Sequence, residues 1–304
     1  MSGSASSSMK ARIAIAGALV FFVTLLISSV APRAGAEPSV LLTADALGAL
    51  LSARDVRIID MADDVADYRH GHIPGAVFLD IEHTRVVVPG RGFRLPNADE
   101  ASRLFGGLGL TRETRVVVYD HADALNAAWL FYVLDVYGHT SVALLDGGLA
   151  AWKRAGRALV REAPRIEPTT YRVTAPAADR VATAEWIRDR LPDRSVIPLD
   201  ARSAGEYAGT RRYAKRAGHI PGAVNVEWSR HLREDGTFKP VDELRRMYAG
   251  AGVTSDKTVV TYCQTHHRGA HSYFVLRLLG YPRVLGYDRS WAEWGNRDDL
   301  PIAR

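Results

Sequence analysis

The heptapeptide Gly-His-Ile-Pro-Gly-Ala-Val occurs twice in this chain, at Gly71 to Val77 and again at Gly218 to Val224. Each occurrence follows an apolar run that ends in an aspartate, Asp60 in the first case and Asp200 in the second. Downstream the parallel continues. Tyr119-Asp120 falls over Tyr262-Cys263, Asp146 over Asp288, and Trp152 over Trp294. Collinear matches flanking a seven-residue identity mark a tandem duplication, so whatever one half folds into, the other folds into as well.

Each copy alternates short apolar runs with helical stretches. Ile58–Asp60, Val116–Tyr119 and Val142–Leu145 read as strands in copy one, with counterparts at Val196–Asp200, Val259–Tyr262 and Val284–Tyr287. Continuous apolar runs without alternation suit strands buried on both faces of a parallel sheet. Ala127–Tyr137 and Ala270–Leu279 read as helices, each stopped by a glycine, Gly138 or Gly280. The expected fold is α/β: two tandem domains, each a parallel sheet flanked by helices. The boundaries read as 37–158 for copy one and 181–304 for copy two, joined by a proline-bearing linker over 159–180. In His-Ile-Pro-Gly the proline and glycine set a tight turn, and the histidine is expected to hold it by bonding backbone.

The first thirty-six residues differ in kind. Lys10 and Arg12 precede the apolar run from Ile13 to Val30, and Ala34-Gly35-Ala36 follows just before Glu37. These are the parts of a secretory signal over 1–36. They predict a periplasmic or secreted chain with no stable membrane insertion after cleavage, the alternative being an uncleaved anchor facing the periplasm. Removing Lys10, Arg12 and Arg33 takes the formal net charge from +5 to +2, and the case for a nucleic-acid partner goes with it.

Cys263 is the single cysteine of the 304 residues, which is unusual in an oxidising compartment. It stands at the carboxyl end of a buried-strand pattern, the edge at which open α/β sheets gather ligands. Cys263, Gln264, Thr265, His266, His267 and Arg268 must turn the chain into the next helix. Such a loop can direct several backbone N–H groups inward as an anion-binding nest at a helix N-terminus. A sulfur there, beside Arg268, is favoured as thiolate and hence as nucleophile. Burial as a small hydrophobe is the bland reading. A metal site of Cys263, His266 and His267 has no evident fourth ligand, and none is expected.

Tandem copies, a lone cysteine in the second, His-Ile-Pro-Gly-Ala in both, and Tyr-Asp-x-Ser-Trp-x-Glu-Trp over Tyr287 to Trp294 together resemble the rhodaneses. That family comprises the thiosulfate and mercaptopyruvate sulfurtransferases. The resemblance runs from about Val40 to Trp294. It implies an inactive first domain, with Asp120 at the cysteine position, and an active second one. It also implies Cys263 as the sulfur-accepting nucleophile, Gln264 to Arg268 as its cradle, and Arg202 of Leu-Asp-Ala-Arg as a substrate-binding arginine. Two departures stand out. Copy one lacks the long insertion of vertebrate-type enzymes between Asp60 and His72, and Arg289 replaces the glycine of the family's Asp-Gly-Ser-Trp.

The chemistry implied is double displacement through a Cys263 persulfide, from thiosulfate to cyanide or a thiol, needing no metal and no organic cofactor. The acceptor is a small molecule or a protein. The polar, cationic run Gln-Thr-His-His-Arg suits a compact dianion, with the two histidines expected to lend charge. Mercaptopyruvate sulfurtransfer is the alternative, and a non-catalytic sulfur carrier is a second. A cysteine phosphatase needs five residues between cysteine and arginine, and here there are four.

Overall fold

The structure is a computed structural model that describes residues 39–90 and 92–304, together with Met1 and Gly3. The leader expected over 1–36 otherwise falls outside the described residues. Among the described residues, no helix is long and apolar enough to cross a membrane.

Eleven strands occur among the described residues. In copy one these are β1 (Leu41–Leu42), β2 (Val56–Asp60), β3 (Ala76–Phe78), β4 (Val86–Val87), β5 (Phe93–Arg94), β6 (Arg115–Tyr119) and β7 (Val142–Leu145). Copy two holds β8 (Val196–Asp200), β9 (Val224–Asn225), β10 (Thr258–Tyr262) and β11 (Val284–Gly286). The first sheet runs β1-β7-β6-β2-β3 and the second β11-β10-β8-β9, every pair parallel. A single parallel bridge from Val181 to Gly286 stands in copy two where β1 stands in copy one. The central strands are β-branched and nearly buried throughout, as a two-face-covered parallel sheet requires. The antiparallel pair β4–β5, which periodicity did not signal, has a shorter counterpart in copy two in the antiparallel bridge from Leu232 to Phe238.

The repeated heptapeptide is a structural device in both places. His72 and His219 are buried, and their Nδ1 atoms meet the carbonyls of Tyr68 and Tyr207 at 3.0 and 2.9 Å. Each imidazole stacks on that tyrosine at 3.8 Å between ring centres. The Ile73 and Ile220 N–H groups donate to Tyr119 and Tyr262 hydroxyls on the central strands. The linker is extended, as expected, but it is fastened along its length. Val160 bridges to His72, the Thr169 N–H donates to the Gly106 carbonyl, and the Ala177 N–H donates to the Val136 carbonyl.

Both copies lie in one unit, Pro38–Arg304, and pack through the helices Leu125–Val136 and His267–Leu278. Both helices are buried along most of their length because one side covers a sheet and the other meets the opposite copy, and Leu125–Val136 is accordingly apolar on nearly every face. Phe131 meets Phe274, and Tyr132 meets Tyr273, each edge-on with 5.0 Å between ring centres. The pairing is reciprocal at the rim. Asp146 accepts the Phe238 N–H at 2.8 Å, and its counterpart Asp288 accepts the Leu95 N–H at 3.1 Å. Each copy thus satisfies a backbone donor of the other.

Candidate active site

Cys263 is the first residue beyond β10, and the helix begins four residues later at His267. The cysteine is free, with 1% of its surface exposed. Its N–H donates to the Ser290 hydroxyl at 3.2 Å, and that hydroxyl donates to the Tyr287 carbonyl at 2.8 Å. The carbonyls of Cys263 and Gln264 accept the N–H groups of Trp291 and Ala292. The loop is therefore stitched at its start to the Ser290–Trp294 helix. Two non-glycine residues hold left-handed backbone here, His266 at φ 66° and Ser290 at φ 50°. Such conformations cost about 1–2 kcal/mol each and persist where surrounding contacts over-determine them.

Beyond Cys263 the backbone N–H groups of Gln264, Thr265, His266, His267 and Arg268 meet no hydrogen-bond acceptor among the described residues. Copy one shows what such a loop holds. Asp120, at the cysteine position, lays its carboxylate into its own turn and accepts N–H groups from Ala122, Ala124 and Ala127 at 3.3, 3.0 and 3.2 Å. Burial raises the Asp120 carboxyl to about 6 despite those three donors. Ala124, at φ 62°, occupies the place of His266. The copy-one turn is one residue longer, because Asp120 precedes its left-handed residue by four positions and Cys263 by three.

Arg268 closes the cradle. Its guanidinium makes a two-pronged pair with Glu206, at 2.7 and 2.9 Å, and lies near enough to Cys263 to feel its charge. Burial alone would ease its proton off, but Glu206 and Cys263 hold the guanidinium more firmly charged than usual. Glu206 is pushed up by burial and pulled down further by Arg268 and Ser203, so its carboxyl ends below the ordinary range. Arg202 is 2% exposed and inward-facing. Its Nε and Nη2 are committed to Asp200 at 2.6 to 3.1 Å and to the Gly218 carbonyl at 2.8 Å. The guanidinium lies 4.5 Å from the Trp291 ring centre, one residue from Ser290. The structure thus places Arg202 behind the loop rather than open across it.

The two adjacent histidines, expected to lend positive charge, do not. Burial, with the neighbouring His267, holds His266 down to about 3; burial first, then Arg85, holds His267 down to about 4. Both are neutral near pH 7. The His266 ring is fully buried between Tyr132 at 4.6 Å and Trp129 at 6.2 Å, away from any polar partner. It is a wedge between the copies. Gln264 turns outward and donates to the Tyr213 carbonyl at 3.1 Å, while the Thr265 methyl lies near Gly92 of copy one. An anion seated in this loop would therefore meet backbone N–H groups and one arginine.

Sequence reading missed three residues of this neighbourhood: Glu206, Ser290 and Asp200. A signal existed for Glu206, since Ser203-Ala-Gly-Glu206 is a capping box and the box is formed. Nothing in the sequence announced that the same carboxylate would take Arg268.

Together, the fold and the site define a duplicated α/β protein with a lone cysteine held in one of two homologous strand-to-helix turns. The chain belongs to the rhodanese family: the Rhodanese-like domain matches it over residues 43–155 and again over 183–297. It is 39% identical over 252 residues to a thiosulfate sulfurtransferase of Pseudomonas aeruginosa, covering 83% of this chain and 92% of that one. It is 37% identical to the sulfur carrier protein TtuD of Thermus thermophilus, covering 88% and 98%. Among solved structures, SseA from Escherichia coli, described with 3-mercaptopyruvate sulfotransferases, superposes with a TM-score of 0.75 at 29% identity, covering 84% and 99%.

Proposed function

We propose that this protein is a thiosulfate sulfurtransferase in which Cys263 carries the sulfur. The Cys263 thiolate attacks the outer sulfur of thiosulfate. The sulfur–sulfur bond of the donor breaks, and sulfite leaves with the electron pair. The resulting persulfide is then attacked by cyanide or a thiol, which takes the outer sulfur and returns the thiolate. Charge is conserved at each step, and the chemistry calls on no metal or organic cofactor. One observation carries the reading: unanswered N–H groups surround the turn after Cys263, and in copy one the equivalent turn is filled by the protein's own carboxylate. The N–H groups of Gln264 to Arg268 are assigned to the persulfide's negative charge, as in an oxyanion hole. Arg268 is assigned to donor binding and Arg202 to holding Trp291, and through it the Cys263 carbonyl.

A donor with a carboxylate and a carbonyl, such as mercaptopyruvate, needs further side-chain donors, and the Nε and Nη2 of Arg202 are already spent. The relation to a thiosulfate sulfurtransferase over 83% of the chain points the same way. Steady-state turnover with thiosulfate and cyanide tests the activity, mercaptopyruvate serving as the rival donor. Thiocyanate formation with thiosulfate as the better donor is expected, and a reversed preference would refute the donor assignment. Residues 1–36 are assigned as an export leader ahead of copies spanning 37–158 and 181–304, the linker being 159–180. N-terminal sequencing of exported protein should begin at Glu37.

A further inference from the structure

The two copies part company just before the repeated heptapeptide. Three residues separate Tyr68 from His72, whereas eleven separate Tyr207 from His219. The tyrosine–histidine stack is the same at both places, so the extra length is an insertion on a fixed frame. It carries Arg211, Arg212, Lys215 and Arg216 and no carboxylate. Arg216 is spent on the carbonyls of Trp294, Arg297 and Leu300. Lys215 pairs with exposed Asp298, a contact worth little in water. Arg211 and Arg212 are exposed and have no carboxylate partner among the described residues. Tyr213, which follows them, is 64% exposed.

This insertion borders the cysteine loop. The Tyr213 carbonyl accepts Gln264 Nε2, the Arg216 carbonyl accepts Trp291 Nε1, and the Arg216 N–H donates to Gly295. The same segment lines a groove of about 520 Å³ with Arg212, Lys215, Arg216, Ile302 and Arg304. That volume is many times what a thiosulfate ion fills. An exposed aromatic among unpaired arginines is the composition of a protein-binding surface. Nucleic acid asks for cations spread along a backbone track, and here they are confined to one short insertion.

We infer that the Gly209–Ala217 insertion is a docking surface for an acidic protein that presents a cysteine thiol to the Cys263 persulfide. The inference rests on the sulfurtransferase reading and names its acceptor. Complementary charge would hold and steer the partner, and Tyr213 would supply apolar contact.

The test separates docking from chemistry. Binding is measured by fluorescence anisotropy to the Cys263→Ser protein, using a labelled cysteine peptide rich in glutamate and a twin with glutamine at those positions. The acidic peptide should bind roughly tenfold or more tightly, lose that advantage near 0.5 M salt, and lose it in Arg211→Gln/Arg212→Gln/Lys215→Gln. In the wild-type background, the triple variant should keep turnover from thiosulfate to β-mercaptoethanol while slowing transfer to the acidic peptide. Equal binding of the two peptides, unchanged binding by the triple variant, or preferential capture of oligothymidylate would overturn the docking surface. So would a triple variant impaired equally with the neutral thiol, because the patch would then serve the donor. Absence of turnover with every acceptor would instead refute the sulfurtransferase reading, and the binding arm would still decide the surface.

Discussion

At the scale of single residues, the site depends on where charge has been cancelled. Arg268 lends its positive charge to the cradle only in part, because Glu206 meets it on two prongs. What Arg268 adds beyond charge is geometry: a planar fork fixed by one carboxylate beside the cysteine. Lysine keeps the charge and loses the fork. Arg268→Lys should therefore lower kcat/KM for thiosulfate by about 10- to 100-fold, corresponding to about 1.4–2.7 kcal/mol. Its circular dichroism should remain that of the wild type. Wild-type kinetics in this variant would show that charge alone suffices and that the Glu206 clamp is incidental.

At the scale of elements, the loop is held from below as well as from its rim. Gly286 at the end of β11 leaves room for the His266 ring. A Cβ there would sit 2.5 Å from His266 Nε2 and from the Tyr132 ring. Gly286→Ala should push the wedge and with it the left-handed residue of the cradle, costing on the order of 1–3 kcal/mol of stability. Activity should fall more than tenfold at temperatures where the variant is still folded. Unchanged kinetics would mean that the cradle does not feel His266. This element also shows how far the sequence was legible. The six-residue turn, its cysteine and its closing arginine were readable because strand, loop and helix signals meet there, and the duplication gave each an internal control. His266 was expected to lend charge because nothing local says which way a loop side chain turns. That is decided by Tyr132 and Trp129, more than a hundred residues away in the chain. Glu206 was missed for the same reason: its capping role is local and its partner is not. The short strands β1, β3 and β9 have too few residues to show a period, and pairing alone makes them strands.

At the scale of the whole molecule, the core of copy two and its seam with copy one hold uncharged histidines. His231 and His271 bring their Nδ1 atoms within 3.2 Å, and the Tyr248 hydroxyl meets His231 Nε2 at 2.8 Å. Burial is the main cause holding His231 well below the ordinary range, His271 and His266 down to about 3, and His267 down to about 4. In the unfolded chain these rings take protons near pH 6.5. Below that pH the unfolded state binds more protons, so stability falls as pH falls, by up to about 1.4 kcal/mol per unit for each histidine. Asp120 opposes this more weakly. Its raised carboxyl binds a proton in the folded state at higher pH than in the unfolded one, adding stability as pH drops through about 6. Asp123, Asp146 and Asp288, also raised by burial, act like Asp120, and His139, also lowered, sides with the other histidines. Between pH 7 and 5 the five histidines prevail, because their rings in the unfolded chain take up protons in that range. Urea unfolding midpoints should fall steeply between pH 7 and 5 and stay level from 7 to 8.5. A midpoint that held or rose on acidification would contradict the buried, neutral seam.

The central claim is that one sulfur atom comes to rest on Cys263. Because the chain has a single cysteine, intact-protein mass spectrometry after incubation with thiosulfate reads that claim without ambiguity of site. The wild type should gain the mass of one sulfur with release of one sulfite, and cyanide should remove it as thiocyanate. The Cys263→Ser protein, folded to the same spectrum, should gain nothing. A wild-type protein that turns thiosulfate over with no added mass, or a serine variant that still acquires sulfur, would contradict the account at its root.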